Sequence, residues 1–266
     1  MKRRIQTALL RAKTCGTARL RPWASVLLVA ALGLSACGPA PVPQGFADPH
    51  EANNRQTHEI NRAIDRTVLR PLSGGYGSSI PAPVKQGVQN FARNLDAPSD
   101  VVNNLLQGRP GPALQNTLRF ALNTTIGIGG LFDPATAMGV AGKPTDFGET
   151  LHVWGAGEGD YIEVLLLGPT TERDLFGAFV DLGLNPLRYV LPADQANVPT
   201  VAKFASRLGD RARYSETVDS VLYDSADGYA QARLSYLQNR RYELGQTAGD
   251  AGDDAFVDPY EDTYGN

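Results

Sequence analysis

The chain has 266 residues, 25 basic and 28 acidic side chains, and two cysteines. Residues 1–36 hold 7 of the basic residues and no acid, so the remainder carries 18 basic against 28 acidic, a net −10. That balance excludes the clustered cations of a nucleic-acid-binding protein and argues against adhesion to anionic headgroups by charge alone. If Cys15 leaves with a leader and Cys37 is modified, no thiol remains for a disulfide, a redox motif or a cysteine metal site.

The leader carries Lys2, Arg3, Arg4, Arg11, Lys13, Arg19 and Arg21, and an apolar stretch follows from Val26 to Leu34. The stretch is shorter than the ~20 apolar residues of a membrane span. A basic start, a short apolar run and small residues at a cut describe an export signal. Leu34-Ser35-Ala36-Cys37 resembles the lipobox of bacterial lipoproteins, which implies acylation at Cys37; a plain secretory signal is the alternative. Gly38 stands where an Asp would retain a lipoprotein in the inner membrane, and so points to the outer membrane. The expected organisation is a signal peptide over 1–36, an acylated Pro-rich tether over 37–47, a helical domain over 48–244 and a disordered acidic tail over 245–266.

Asp48-Pro49 opens a predicted helix over 50–69, with Ile60, Ile64 and Val68 on one stripe expected to face the membrane interface. Arg70-Pro71 closes it, because a residue before proline is pushed out of the α region, and 73–79 (SGGYGSS) reads as a flexible loop. A second helix starts at Pro81 or Pro83, a third runs from Pro98 to Gly108, and a fourth starts near Pro112 and stops at Gly127-Ile128-Gly129-Gly130. Residues 131–145 read as a turn of helix and a loop. Tyr161 to Leu167 reads as a short strand stopped by Gly168-Pro169. Thr170 or Thr171 caps a helix through Leu182. A loop or short helix lies between Pro186 and Pro192, and two further helices cover about 194–223 and 225–243. In the tail, Phe256, Tyr260 and Tyr264 recur four apart, either as a segment that folds on a partner or as inert solvated chain.

Catalytic motifs are missing. His58-Glu59 lacks the second histidine of a metalloprotease, since position 62 is Arg62. Gly142-Lys143 precedes Pro144, so no phosphate-binding loop forms there. No Gly-x-Ser-x-Gly elbow occurs. His50, His58 and His152 have no metal-ligand spacing.

Four stretches in order resemble the MlaA (VacJ) outer-membrane lipoproteins. They are Asp48-Pro49-His50-Glu51-Ala52-Asn53-Asn54-Arg55 with Asn61 seven residues after Asn54; the run QNFARNLDAPSDVVNNLLQG ending at Gly108; the run from Arg119 to Asp133 (RFALNTTIGIGGLFD); and Asp146-Phe147-Gly148-Glu149-Thr150-Leu151 with Gly155, Gly157, Gly159, Tyr161, Gly168-Pro169 and Arg173-Asp174. The chain departs from the family at Asn53, where an aromatic is common, and at Leu166-Leu167, where Leu-Pro is common. The resemblance implies a mainly α fold, a ring of short amphipathic interfacial helices around a channel, with no transmembrane helix. It implies removal of misplaced phospholipids from the outer leaflet of the outer membrane to a periplasmic phospholipid carrier (MlaC-like), binding to a trimeric porin, and no cofactor. Gly127, Gly129 and Gly130, with Phe132, are then the candidate channel or headgroup contact; a plain helix stop is their other role. Two other functions stand against lipid translocation: a structural lipoprotein scaffold bound to porins, and a lipid hydrolase, against which the missing nucleophile elbow counts.

Overall fold

A computed structural model describes residues 43, 45–46, 48–195 and 197–246. The leader with Cys37, most of the tether, and the tail with Phe256, Tyr260 and Tyr264 lie outside the described residues. The fold is mainly helical, and among the described residues no helix is long and apolar enough to cross a membrane. The helices are α1 (Glu51–Ile64), α2 (Arg70–Ser79), α3 (Ala82–Leu106), α4 (Pro110–Thr125), α5 (Pro134–Ala137), α6 (Phe147–Val153), α7 (Glu172–Leu184), α8 (Leu187–Val190), α9 (Val198–Arg213), α10 (Ser215–Asp219) and α11 (Gly228–Glu243). The strands β1 (Tyr161–Val164) and β2 (Gly168–Thr171) form an antiparallel hairpin with Tyr161 opposite Thr171.

Five expectations are corrected. The first helix does not end at Pro71. A π turn over Asp65–Leu69 joins α1 to α2, and Arg70 N donates to Asp65 O, five residues back. That turn places Pro71 in the opening turn of α2, where its missing N–H is not needed. Residues 73–79 are therefore helix rather than flexible loop. Of their glycines, Gly77 serves packing: a Cβ there would sit 2.9 Å from the Ala212 Cβ of α9.

Nor does Pro98 start a new helix; α3 runs through it for 25 residues. A proline inside a helix disturbs nearby carbonyls, and Asn185 Nδ2 donates to Leu95 O at 2.9 Å beside it. The strand at 161–167 stops at Val164, because Leu165-Leu166-Leu167 forms the turn and Gly168-Pro169 opens the returning strand. Finally, the segment near 194–223 is broken at Tyr214, between α9 and α10, and ends in a second π turn over Ser220–Asp224.

Buried aliphatic side chains are few. Ala92, Leu95 and Ala202 make one small cluster, and Tyr161, Tyr229 and Leu237 another. Polar ties do much of the joining. Arg240 of α11 binds Asp146, which caps α6, and Asp174 in the first turn of α7, at 2.7–3.1 Å. Close backbone approach joins α6 to α7, where a Cβ at Gly177 would lie 2.4 Å from Gly148 N.

Asp100 on α3 faces Asp96, Asp146 and Asp181. Burial, reinforced by those carboxylates and opposed by the Thr145 amide, pushes its carboxyl up to about 7.

Two outcomes follow from this packing. Gly177→Ala is expected to cost about 1–3 kcal/mol by overpacking, lowering the melting temperature by roughly 2–10 °C. Gly74→Ala, with nothing within 4 Å of the new Cβ, is expected to melt no lower than wild type; equal melting of all three proteins would refute the α6–α7 account.

The folded state holds the Asp100 proton to a higher pH than the unfolded chain, whose carboxyl titrates near 3.8. Stability from this group is complete below about pH 4 and is lost as pH rises through about 7. Asp100→Asn is expected to remove that decline, as read by urea unfolding between pH 4 and 8.

Candidate functional site

The glycine-rich turn grows out of α4. Ile126 N and Gly127 N both donate to Leu122 O, and Gly129 N donates to Thr124 O, so the helix closes on itself as it ends. A Cβ at Gly127 would lie 2.4 Å from Phe132 O and 2.5 Å from Asn123 O, and only glycine fits there. Gly130 has φ +99° and its Cβ would meet the Asn94 side chain at 2.5 Å. Gly129, at φ +71°, faces open space.

Polar side chains frame the turn from behind. Asn94 Nδ2 of α3 donates to Thr124 Oγ1 (3.0 Å) and Gly129 O (3.3 Å), and Asn90 Nδ2 donates to Leu131 O. Arg119 Nη2 meets Asp133 Oδ2 at 2.9 Å, and Asn123 Nδ2 donates to Asp133 Oδ1 at 3.0 Å. Asp133 caps α5 through Thr136 N. Burial alone would raise the Asp133 carboxyl; the bonds from Thr136, Arg119 and Asn123 overcome it and hold the group down at about 2. Asp133 therefore stays ionised, and paired with Arg119, across the physiological range.

The turn carries an apolar load outward. Ile126, Ile128, Leu131, Phe132 and Met138 are all exposed. Ile128 is 65% exposed and has φ +53°, a left-handed conformation that a β-branched residue adopts at a cost of about 1–3 kcal/mol. The hairpin repeats the pattern: Leu165, Leu166 and Leu167 are exposed, with Leu166 at φ +66°. These are the only two non-glycine residues with positive φ among the described residues. The hairpin tip was missed in the sequence because three leucines after Tyr-Ile-Glu-Val read as more strand. The usable signal was their position before Gly-Pro, where a water-facing turn would be polar.

Other exposed apolar side chains lie on α7 (Phe176, Phe179, Leu182) and α9 (Val198, Val201, Phe204). On the first stripe, Ile60 and Val68 are exposed and Ile64 half-buried, with Val68 in the π turn. Inside, by contrast, Asn54, Asn103, Asn104, Asn116 and Asn123 are buried, as are Glu163 and Arg173. Exposed large apolar groups around a polar interior reverse the usual distribution of a water-soluble protein. Among the described residues no group of His, Cys, Asp and Glu has the geometry to hold a metal ion.

The family model described as MlaA lipoprotein matches residues 46–243. The chain belongs to the MlaA lipoprotein family. A solved structure reported under "Structural basis for maintenance of bacterial outer membrane lipid asymmetry" superposes with a TM-score of 0.64 at 29% identity, covering 74% of this chain and 99% of that one. The Escherichia coli protein named intermembrane phospholipid transport system lipoprotein MlaA is 32% identical over 207 residues, 75% of this chain and 79% of that protein. An uncharacterised Rickettsia bellii protein is 36% identical over 195 residues, 73% of this chain and 75% of its own length. The apolar turns and their polar frames thus lie in an MlaA fold.

Ile128→Asn relieves the left-handed strain while removing apolar surface. It is expected to stabilise the protein by about 1 kcal/mol yet weaken liposome binding of a non-acylated form. A thermal melt and a vesicle flotation assay read the two effects. Unchanged flotation would remove the turn from the lipid-facing surface.

Proposed function

We propose that this lipoprotein is anchored by acylated Cys37 on the periplasmic side of the outer membrane. There it takes phospholipids that have strayed into the outer leaflet and passes them through an amphipathic channel to a soluble periplasmic carrier. A trimeric porin is its expected partner in the membrane. The single observation that carries this reading is membership of the MlaA family over 46–243, whose Escherichia coli and Haemophilus influenzae relatives are named as phospholipid transport lipoproteins.

The distribution of polarity supports it. A protein set among acyl chains must bond its own backbone groups internally while presenting apolar side chains outward. Three acyl chains supply many buried methylenes at ~0.8 kcal/mol each, enough for stable anchoring. In that setting Ile126, Ile128 and Phe132 meet lipid, and the glycines of the turn set their direction. The stripe of Ile60, Ile64 and Val68 lies in the interface. The tail residues Phe256, Tyr260 and Tyr264 are assigned to a basic groove on a partner.

The test is a deletion strain complemented with this chain and assayed for phospholipid exposed on the cell surface. Wild type is expected to restore asymmetry. Cys37→Ala is expected to lose palmitate labelling and to fail. Restoration of porin association without any change in surface phospholipid would favour a scaffold instead.

A further inference from the structure

A cleft of about 650 Å³ opens between α2, α3 and the end of α9, within the ~300–1,000 Å³ range of small-ligand sites. Four cations line it: Arg70 from α2, Lys85 from α3, and Arg211 and Arg213 from α9. One carboxylate, Asp219, lines it with them. In a chain that carries a net −10 after its leader, this convergence of positive charge stands apart.

The four cations are not equivalent. Arg211 is held by Asp65 (2.9 and 3.0 Å) and by Asp219 (2.6 Å), and Arg70 by the other oxygen of Asp219 (2.6 Å). Those two guanidinium groups are neutralised where they stand. The neighbouring Asp210 accepts from Nε2 of Gln89, itself a lining residue, at 2.7 Å, and makes no ion pair with Lys85 or Arg213. Lys85 and Arg213 have no carboxylate within ion-pair reach among the described residues. Lys85 Nζ donates to Gly77 O at 2.6 Å, which uses one of its three donors. Arg213 is exposed and keeps its whole fork.

The wall of α2 is nearly bare. Ser73, Gly74 and Gly77 line the cleft, and a Cβ at Gly74 would meet nothing within 4 Å. Two uncompensated cations beside two carboxylate-paired arginines, with a wall open at Gly74, match a compact, multiply accepting anion. A phosphate group has that shape and charge. The same two helices expose Leu72 and Val84, apolar surface suited to what a headgroup carries.

We infer that this cleft binds a phosphate oxyanion, with Lys85 and Arg213 as its charge-matching groups. The lipid headgroup is the source that the transport reading favours, and this assignment rests on that reading. An acidic peptide would need a longer groove, and it is tested as the rival occupant.

The experiment uses the full acylated protein in neutral detergent, titrated with dihexanoyl-phosphatidylglycerol and with dihexanoylglycerol, which lacks the phosphate. The first is expected to bind at least about tenfold more tightly, since a charge-assisted contact is at stake. Arg213→Gln should weaken it severalfold and Arg213→Gln with Lys85→Gln about tenfold or more. Gly74→Leu should block binding with no change of charge and no loss of helical signal. Equal binding of the two lipids, wild-type affinity in these variants, or displacement by hexaglutamate at equal concentration would overturn the inference. Displacement by inorganic phosphate at equal concentration upholds oxyanion binding and assigns the source to free phosphate; a large excess of phosphate assigns it to the headgroup. In the deletion strain, a double variant that binds no lipid phosphate yet restores asymmetry overturns the role in transport while transport itself stands. Failure of wild type to restore asymmetry overturns the transport reading and leaves the titration to decide the cleft.

Discussion

The fold depends on buried carboxamides that act as substitute backbone. Among the described residues, strand β1 has a partner strand on one edge only, and its other edge is met by α1. Asn54 donates to Tyr161 O at 3.1 Å and accepts from Glu163 N at 3.0 Å. Asn61 donates to Val164 O at 3.0 Å and accepts from Leu166 N at 2.8 Å. Seven residues of helix rise ~10.5 Å and three residues of strand ~10 Å, so the two spacings coincide. Each asparagine forms the pair of bonds that a neighbouring strand would form. On α4, Asn116 likewise both donates to and accepts from the backbone of Lys143, and Asn123 accepts from Ala135 N. Each such group left unbonded in a dry setting costs about 1–3 kcal/mol, which is why irregular segments between α4 and α6 can exist without a sheet.

That substitution frees the surface for apolar side chains. A chain with few buried aliphatic residues has little to gain from conventional core packing. Its helices are joined by carboxamides, ion pairs such as Arg240 with Asp146 and Asp174, and close glycine contacts. Leucines, isoleucines and phenylalanines are left to face outward. The two strained tips, at Ile128 and Leu166, show the same allocation at a local scale: backbone strain is accepted so that an aliphatic side chain projects from a framed turn.

Much of this could be read in the sequence, and the failures have physical causes. The cap of α7 is legible because it is local: of the two threonines the sequence offers, Thr170 and Thr171, it is Thr171 that accepts from Asp174 N. Proline misleads at Pro71 and Pro98: a π turn carries the helix into Pro71, and α3 runs through Pro98 with Asn185 bonded to the nearby Leu95 O. The glycines of 73–79 looked flexible, yet the approach of Ala212 explains Gly77, and nothing near in sequence announces it. The glycines at 127 and 130 stand out in the sequence, but nothing there shows that Asn94 lies against Gly130. Nor did the cationic cleft show itself, because Arg70, Lys85 and Arg213 come from three separate helices. The spacing of Asn54 and Asn61 was visible as a pattern, and its meaning needed the strand beside it.

The first described residues close onto the last helix. Asp48 bonds Tyr229 and Arg233, Arg55 bonds Asp227, and Arg241 donates to Gly45 O across 196 residues. Contacts so distant in sequence form late, because the intervening chain must be ordered first. During synthesis and export the amino-terminal segment therefore waits, uncommitted, until α11 has emerged. A nascent chain cut short before Gly228 lacks the closing partner of α1 as well as its own last helix, and such a fragment would depend on a holding chaperone for its passage.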